Sequence, residues 1–190
     1  VVSNLHLQDS LGFDPEWIVN RTGIHERRFA LPHQATSDLC SEAAARCLEN
    51  ADCDPADVDM LVLATFTPDM ALPSTANLVQ DRLKLNCAGF DIQAACAGFV
   101  FALVIGSQFV ATGNSKRCLV VGGDCNSRVI NPGDQKSYPL FGDGAGAVLL
   151  GPGSQEQGLV SYQLGSDGSG GDLLNRPAGG SRMPPSAETV

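Results

Sequence analysis

Apolar positions recur along the chain in two rhythms. In TSDLCSEAAARCLEN, residues 36–50, the positions Leu39, Ala43, Cys47 and Ala51 follow one another at helical spacing, behind Thr36 or Ser37 as N-cap. The spacing predicts an amphipathic helix over 36–50, with Cys40 and Cys47 as core residues. DMLVLATFT (59–67) is a continuous apolar run between the polar stretches DCDPAD and TPD, the pattern of a buried parallel strand. Pro73 and Ser74 open a second helix, STANLVQDRLKL; GFDIQAA reads as a strand, Cys96 to about Ala111 as a helix, and RCLVVGGD as another strand. The order β-α-β-α-β predicts an α/β fold with a mostly parallel mixed sheet covered on both faces.

The helix beginning near Cys96 is apolar on nearly every side: Ala97, Phe99, Val100, Phe101, Leu103, Val104, Ile105, Phe109 and Val110. Such a helix is expected at the centre of its protein, its N-terminus opening into an enclosed cleft. A thiol there meets the positive end of the helix dipole and the unpaired amides of the first turn, which favour thiolate and oxyanion alike. Gly98 allows close backbone approach. Against this stands packing, because free cysteine usually serves as a small buried hydrophobe.

Composition narrows the function classes. The chain has 190 residues, 43% hydrophobic and 17% charged, enough for a substantial core. Its 21 Asp and Glu outnumber 12 scattered Lys and Arg, giving a net charge of −9, so no footprint for nucleic acid or anionic lipid exists. The run Cys96–Ile105 is shorter than the roughly 20 residues of a membrane span. Seven cysteines, at 40, 47, 53, 87, 96, 118 and 125, form no CxxC and no metal-ligand spacing with the three histidines. No metal or cofactor is expected, and the odd count in regular elements points to a reducing cytoplasm. Val1 in place of methionine suggests a piece of something longer.

The glycines of YPLFGDGAGAVLLG (138–151) invite a phosphate-loop reading, which needs a preceding strand, a following helix and a terminal Lys-Ser/Thr. Here they lead into the strand-like AVLL without a lysine. Small residues at 142, 144 and 146 instead fit a chain packed against another backbone, with Phe141 at its mouth.

Three stretches together, WIVNRTGIHERR (17–28), DIQAACAGF (91–99) and FGDGAGAVLL (141–150), resemble the β-ketoacyl-acyl-carrier-protein synthase III family of the thiolase-like superfamily, in order and spacing. The resemblance covers nearly the whole chain. It implies a thiolase-like fold, αβαβα in the intact protein, of which residues 1–190 are the N-terminal half carrying the nucleophilic cysteine. The first strand and the C-terminal half would then lie outside the chain. It further implies an acyltransferase that loads an acyl group from acyl-CoA onto Cys96 and condenses it with malonyl-acyl-carrier protein, in a homodimer. Trp17 and Arg21 match positions that hold the CoA adenine and phosphates, Leu72 an acyl-pocket residue contributed across the dimer interface, and Phe141 a residue lining the active site.

Each assignment has a plainer rival. Trp17 could be a half-buried rim residue, Arg21 the partner of Glu16 or Glu26, and Leu72 and Phe141 simple core; Arg27 and Arg28 read as solvated charges. The family pairs its thiolate with a histidine and an asparagine in the second half of the fold. His6, His25 and His33 do not match that motif and take no catalytic role. A related Cys-dependent acyltransferase, a hydroxymethylglutaryl-type synthase and a non-catalytic module that binds acyl-CoA remain as alternatives.

Overall fold

The computed structural model describes residues 1–154 and 156–188. From the N-terminus come β1 (Val2–Ser3), α1 (Asn4–Leu11), α2 (Pro15–Thr22), β2 (Glu26–Arg27) and α3 (Thr36–Asn50). There follow β3 (Met60–Ala64), α4 (Thr75–Arg82), β4 (Ala88–Ile92), α5 (Gly98–Ala111), β5 (Cys118–Cys125) and β6 (Asp143–Leu150). Contacts divide the chain into two units, Val1–Val160 and Ser161–Val190. The second contains only a short turn of 3-10 helix, Gly168–Gly170, among its described residues.

Four strands form a sheet in the order β4-β3-β5-β6. β3 pairs in parallel with both β4 and β5, whereas β6 returns antiparallel beside β5, so the sheet is mixed and mostly parallel as expected. Alternation along the central strands assigns each face. Leu61, Leu63, Leu119 and Val121 point to one side, where they meet Cys40, Ala44 and Leu48 of α3 and Ala76 and Val79 of α4. Val62, Ala64, Cys118 and Val120 point to the other, against Ala102 of α5. With both faces covered, the central strands read as the near-continuous apolar runs seen in the sequence.

α3 occupies the predicted span, yet its buried stripe is turned by one position. Thr36, Ser37, Cys40, Ser41, Ala44 and Leu48 are buried, while Leu39, Ala43 and Cys47 are half-buried and Ala51 is exposed. The polar members enter because each finds a partner: Thr36 Oγ1 donates to Thr67 O at 2.6 Å, Ser37 Oγ to Asp69 at 2.7 Å and Ser41 Oγ to Ser37 O at 2.7 Å. The N-cap is Ala35, not Thr36 or Ser37; the Asp38 carboxylate accepts the Ala35 N–H at 2.7 Å, and Asp69 Oδ1 accepts the Ser37 N–H of the first turn at 2.8 Å in place of a side-chain cap.

Arg27 also departs from expectation. It is 6% exposed, not solvated, and donates to Asn4 Oδ1 at 2.7 Å, Pro139 O at 3.0 Å and Val2 O at 3.3 Å. Burial lowers its pKa, partly offset by nearby Tyr138. It ties the β1–β2 ribbon to the segment before β6, beside a small cluster of Leu7, Phe13, Ile18 and Tyr138. Arg28 does remain exposed, 3.4 Å from Glu26.

α5 is not enclosed on all sides. Its buried residues are Gly98, Ala102, Val104 and Gly106, whereas Val100 on the other side is 51% exposed. Gly98, Ala102 and Gly106 recur every four residues, a smooth stripe that brings the helix backbone close to the sheet. A Cβ on Gly106 would lie 2.7 Å from Val120 Cγ2 and 3.1 Å from Cys118 Sγ. Gly106→Ala gains about 1 kcal/mol of helix propensity but overpacks a contact between two regular elements, at a cost of about 1–3 kcal/mol. The expected net result is destabilisation, and Gly106→Val should be worse than Gly106→Ala. A chemical-denaturation midpoint that is unchanged in both variants would show that α5 can lift from the sheet.

Candidate active site

β4 ends at Ile92, and the chain reaches α5 through one turn of 3-10 helix, Ala95–Ala97. Ala95 has φ 46°, a left-handed conformation that costs a non-glycine residue about 1–3 kcal/mol. This strained strand–turn–helix joint projects Cys96 outward. Cys96 therefore sits in the turn ahead of α5, whose own N-cap is Ala97. Of the seven cysteines, all free, it alone is exposed. Burial pushes the Cys40 and Cys118 thiols up to about 12, with nearby acidic groups and thiols adding to it. It also raises Cys47, Cys87 and Cys125.

Beside Cys96 lies a cavity of about 380 Å³ at the carboxyl ends of the parallel strands. Ala64 closes one side from the end of β3; Gly122, Gly123 and Asp124 come from β5, and Gly142, Gly144 and Gly146 from the approach to β6 and β6 itself. The cleft is open, since Cys96 is solvent-exposed, and not the enclosed one expected. The glycines divide by what a side chain would meet. At Gly123 a Cβ would strike Cys40 Sγ at 2.5 Å and Ala145 Cβ at 2.8 Å, so packing demands glycine. At Gly144 and Gly146 nothing lies within 4 Å, and the missing side chains leave the cavity its room.

One wall of this cavity is polar and was not foreseen. Asp124 Oδ1 accepts from Thr65 Oγ1 at 2.9 Å, Phe66 N at 2.9 Å, Thr67 N at 3.2 Å and Thr67 Oγ1 at 2.9 Å. Thr67 Oγ1 in turn accepts the Cys125 N–H at 2.9 Å. Asn126 Nδ2, on the same wall, donates to Gly142 O at 3.1 Å, while its Oδ1 is buried without a partner among the described residues. The signals available in the sequence were the two threonines closing an apolar strand and the aspartate closing another.

The remaining expected site residues lie outside the cavity lining. Trp17 and Arg21 are one helical turn apart on α2, both exposed beside the fully buried Ile18; Trp17 is 40% exposed. α2 is set by Asp14, which accepts the Glu16 and Trp17 N–H groups, and by Gly23, whose φ of 73° closes the helix. Arg21 makes no ion pair among the described residues, because Glu26 pairs with Arg28 instead. Leu72 is 81% exposed, so it is not core, and Phe141 is half-buried beside the cavity residue Gly142. His6, His25 and His33 are all exposed and away from the cavity. No group of side chains able to hold a metal ion, and no helix long and apolar enough to cross a membrane, occurs among the described residues.

The family model described as 3-oxoacyl-[acyl-carrier-protein] synthase III matches residues 90–168, the stretch holding Cys96 and the cavity walls. A β-ketoacyl-[acyl-carrier-protein] synthase III of Rhodopirellula baltica is 51% identical over 202 residues, which cover 97% of this chain and 58% of that protein. One from Caldanaerobacter subterraneus is 50% identical over 191 residues, again 58% of its length. The chain belongs to the synthase III family. Its fold agrees: the 3-oxoacyl-(acyl carrier protein) synthase III structure from Pseudomonas aeruginosa superposes with a TM-score of 0.89 at 38% identity, covering 96% of this chain and 57% of that one. The Thermus thermophilus enzyme gives 0.88 at 37%, covering 92% and 55%. The chain thus spans little more than half the length of these synthase III relatives.

Iodoacetamide should alkylate Cys96 before any other thiol, because it alone combines exposure with a cavity mouth. Peptide mapping over a time course checks the order. First labelling at Cys53 or Cys125, with Cys96 inert, would remove the turn as a nucleophile site.

Proposed function

We propose that Cys96 accepts an acyl group from acyl-CoA, in an enzyme that condenses it with malonyl-acyl-carrier protein to give a β-ketoacyl product, the reaction that starts fatty-acid synthesis. The observation that carries this reading is a single exposed thiol on a strained turn at the mouth of a cavity left open by two glycines, in a synthase III chain. In it, the Cys96 thiolate attacks the acyl-CoA carbonyl carbon and the displaced π electrons move onto oxygen. The turn's two hydrogen bonds run from Ala97 N to Ala94 O and from Gly98 N to Ala95 O, so neither occupies the Cys96 N–H. That amide can donate to the oxyanion, which collapses as CoA departs as thiolate and takes up a proton. The acyl-enzyme is then attacked by the carbanion formed when the malonyl thioester loses carbon dioxide.

Trp17 and Arg21 support the CoA end of this reading. Both project from one side of α2, the indole available to stack on adenine and the guanidinium without an ion pair among the described residues and able to fork onto phosphate. An apolar Leu72 that the chain leaves uncovered fits a residue entering the pocket of a second copy in a homodimer. Free cysteines throughout fit a cytoplasmic setting. Acylation is the half-reaction the cavity residues can perform; decarboxylation needs donors at the thioester oxygen, and no histidine of this chain reaches the cavity.

Incubation with acetyl- or butyryl-CoA followed by peptide mass spectrometry should show the acyl group on Cys96 and none in Cys96→Ala. Acylation elsewhere, or none, would overturn the proposal. Trp17→Ala should weaken CoA binding by about 1–3 kcal/mol, the worth of an aromatic–base stack; an unchanged affinity by calorimetry would return Trp17 to a packing role.

A further inference from the structure

The Asp124 carboxylate is held unevenly. All four of its hydrogen-bond donors converge on Oδ1. Oδ2 receives none among the described residues, and it is not one of the buried unpartnered atoms, so it is open to its surroundings. Those surroundings are the cavity, which Asp124 lines together with Cys96. The clamp also prevents escape: two threonine hydroxyls and two backbone N–H groups fix the carboxylate plane, so the free oxygen cannot rotate away when a ligand enters. A cavity of about 380 Å³ keeps its walls within roughly a Debye length, about 8–10 Å, of one another. Any group on the thiol of Cys96 therefore lies in the field of this anion, and no cationic side chain lines the cavity to cancel it.

We propose that Asp124 is a specificity-determining residue: its free Oδ2 excludes acyl groups bearing a terminal carboxylate, so that Cys96 accepts uncharged primers. The proposal rests on the acyl-transfer reading above. A short dicarboxylic acyl group would place its carboxylate in the cavity beside a second anion, whereas acetyl or butyryl brings only apolar surface. At condensation the malonyl carboxylate is the group that departs as carbon dioxide, so there the same repulsion is relieved as the carbon–carbon bond breaks.

Two alkylating agents of nearly equal size, neutral iodoacetamide and anionic iodoacetate, test the charge directly at Cys96. The ratio of their rates cancels any change in thiolate fraction, which affects both alike. Asp124→Asn retains an oxygen to accept the four donors and removes the charge, and should raise the iodoacetate-to-iodoacetamide ratio about three- to tenfold. Asp81→Asn, an equal change in net charge at an exposed position of α4, should leave it unchanged. In the unsubstituted protein the ratio at Cys96 should also lie below that of N-acetylcysteine and rise with salt, a measurement that needs no variant. A ratio in Asp124→Asn equal to that of the parent, or a parent ratio indifferent to salt, would overturn the proposal. In a second arm, succinyl-CoA should acylate Cys96 in Asp124→Asn faster relative to butyryl-CoA than it does in the parent. If neither thioester acylates either protein, the acyl-transfer reading fails, while the alkylation ratio still reports on Asp124.

Discussion

The close approach of α5 to the sheet governs where everything else in the first unit can be. Gly98, Ala102 and Gly106 put helix backbone against β3 and β5, with Gly106 too tight for a methyl group. Gly98, the first residue of α5, is pinned at Ala64, the last residue of β3, so the helix begins level with the end of that strand while β5 runs on to Cys125. Residues 93–97 carry the chain from Ile92, which is in register with Ala64, across to Gly98, and the left-handed Ala95 lies within that passage. Cys96 is carried to the edge of the sheet, and the space beyond the helix becomes the cavity.

The ends of the strands are held by carboxylates. Asp91 takes the Thr75 and Ala76 N–H groups, both at 2.7 Å, and so caps α4. Asp124 takes those of Phe66 and Thr67; Asp143 those of Ala30 and Ser127, at 2.7 and 2.8 Å. Asp59 binds the Lys116 and Arg117 amides and the Ser115 hydroxyl; burial opposes its ionisation, but these bonds outweigh burial and hold its pKa below the ordinary carboxylate range. A backbone amide satisfied by an ionised acceptor is worth more than one satisfied by a neutral group. The acidic balance of the sequence is thus put to structural use at loop amides, which its net charge alone did not suggest.

What was legible in the sequence were features carried by neighbouring residues. The span of α3, the buried strands β3 and β5 and the cysteine at a strand–helix joint each depend on a contiguous pattern. What escaped depends on residues far apart in the chain. The stripe of α3 was misplaced because Thr36 and Ser37 are buried by partners some thirty positions away, at Thr67 and Asp69. Arg27 reads as a surface charge in HERR, and the distant oxygens of Val2, Asn4 and Pro139 make its burial tolerable. The full burial expected of α5 failed for a different reason: an apolar helix says that it wants covering on every side, not that this chain supplies the cover.

The same distinction separates the two halves of the proposed chemistry. Forming a thioester on Cys96 calls on one turn of chain, its thiol and its own amide, so a local motif is enough to write it into a sequence. Choosing which acyl group may occupy that thiol is a property of the polar wall, where Asp124 meets a strand end 57–59 residues earlier. The clamp that makes its carboxylate rigid and the glycines that leave the space in front of it are structural necessities of joining β3, β5 and β6. Specificity here follows from how the sheet is closed at its carboxyl edge, and reactivity from how one helix is entered.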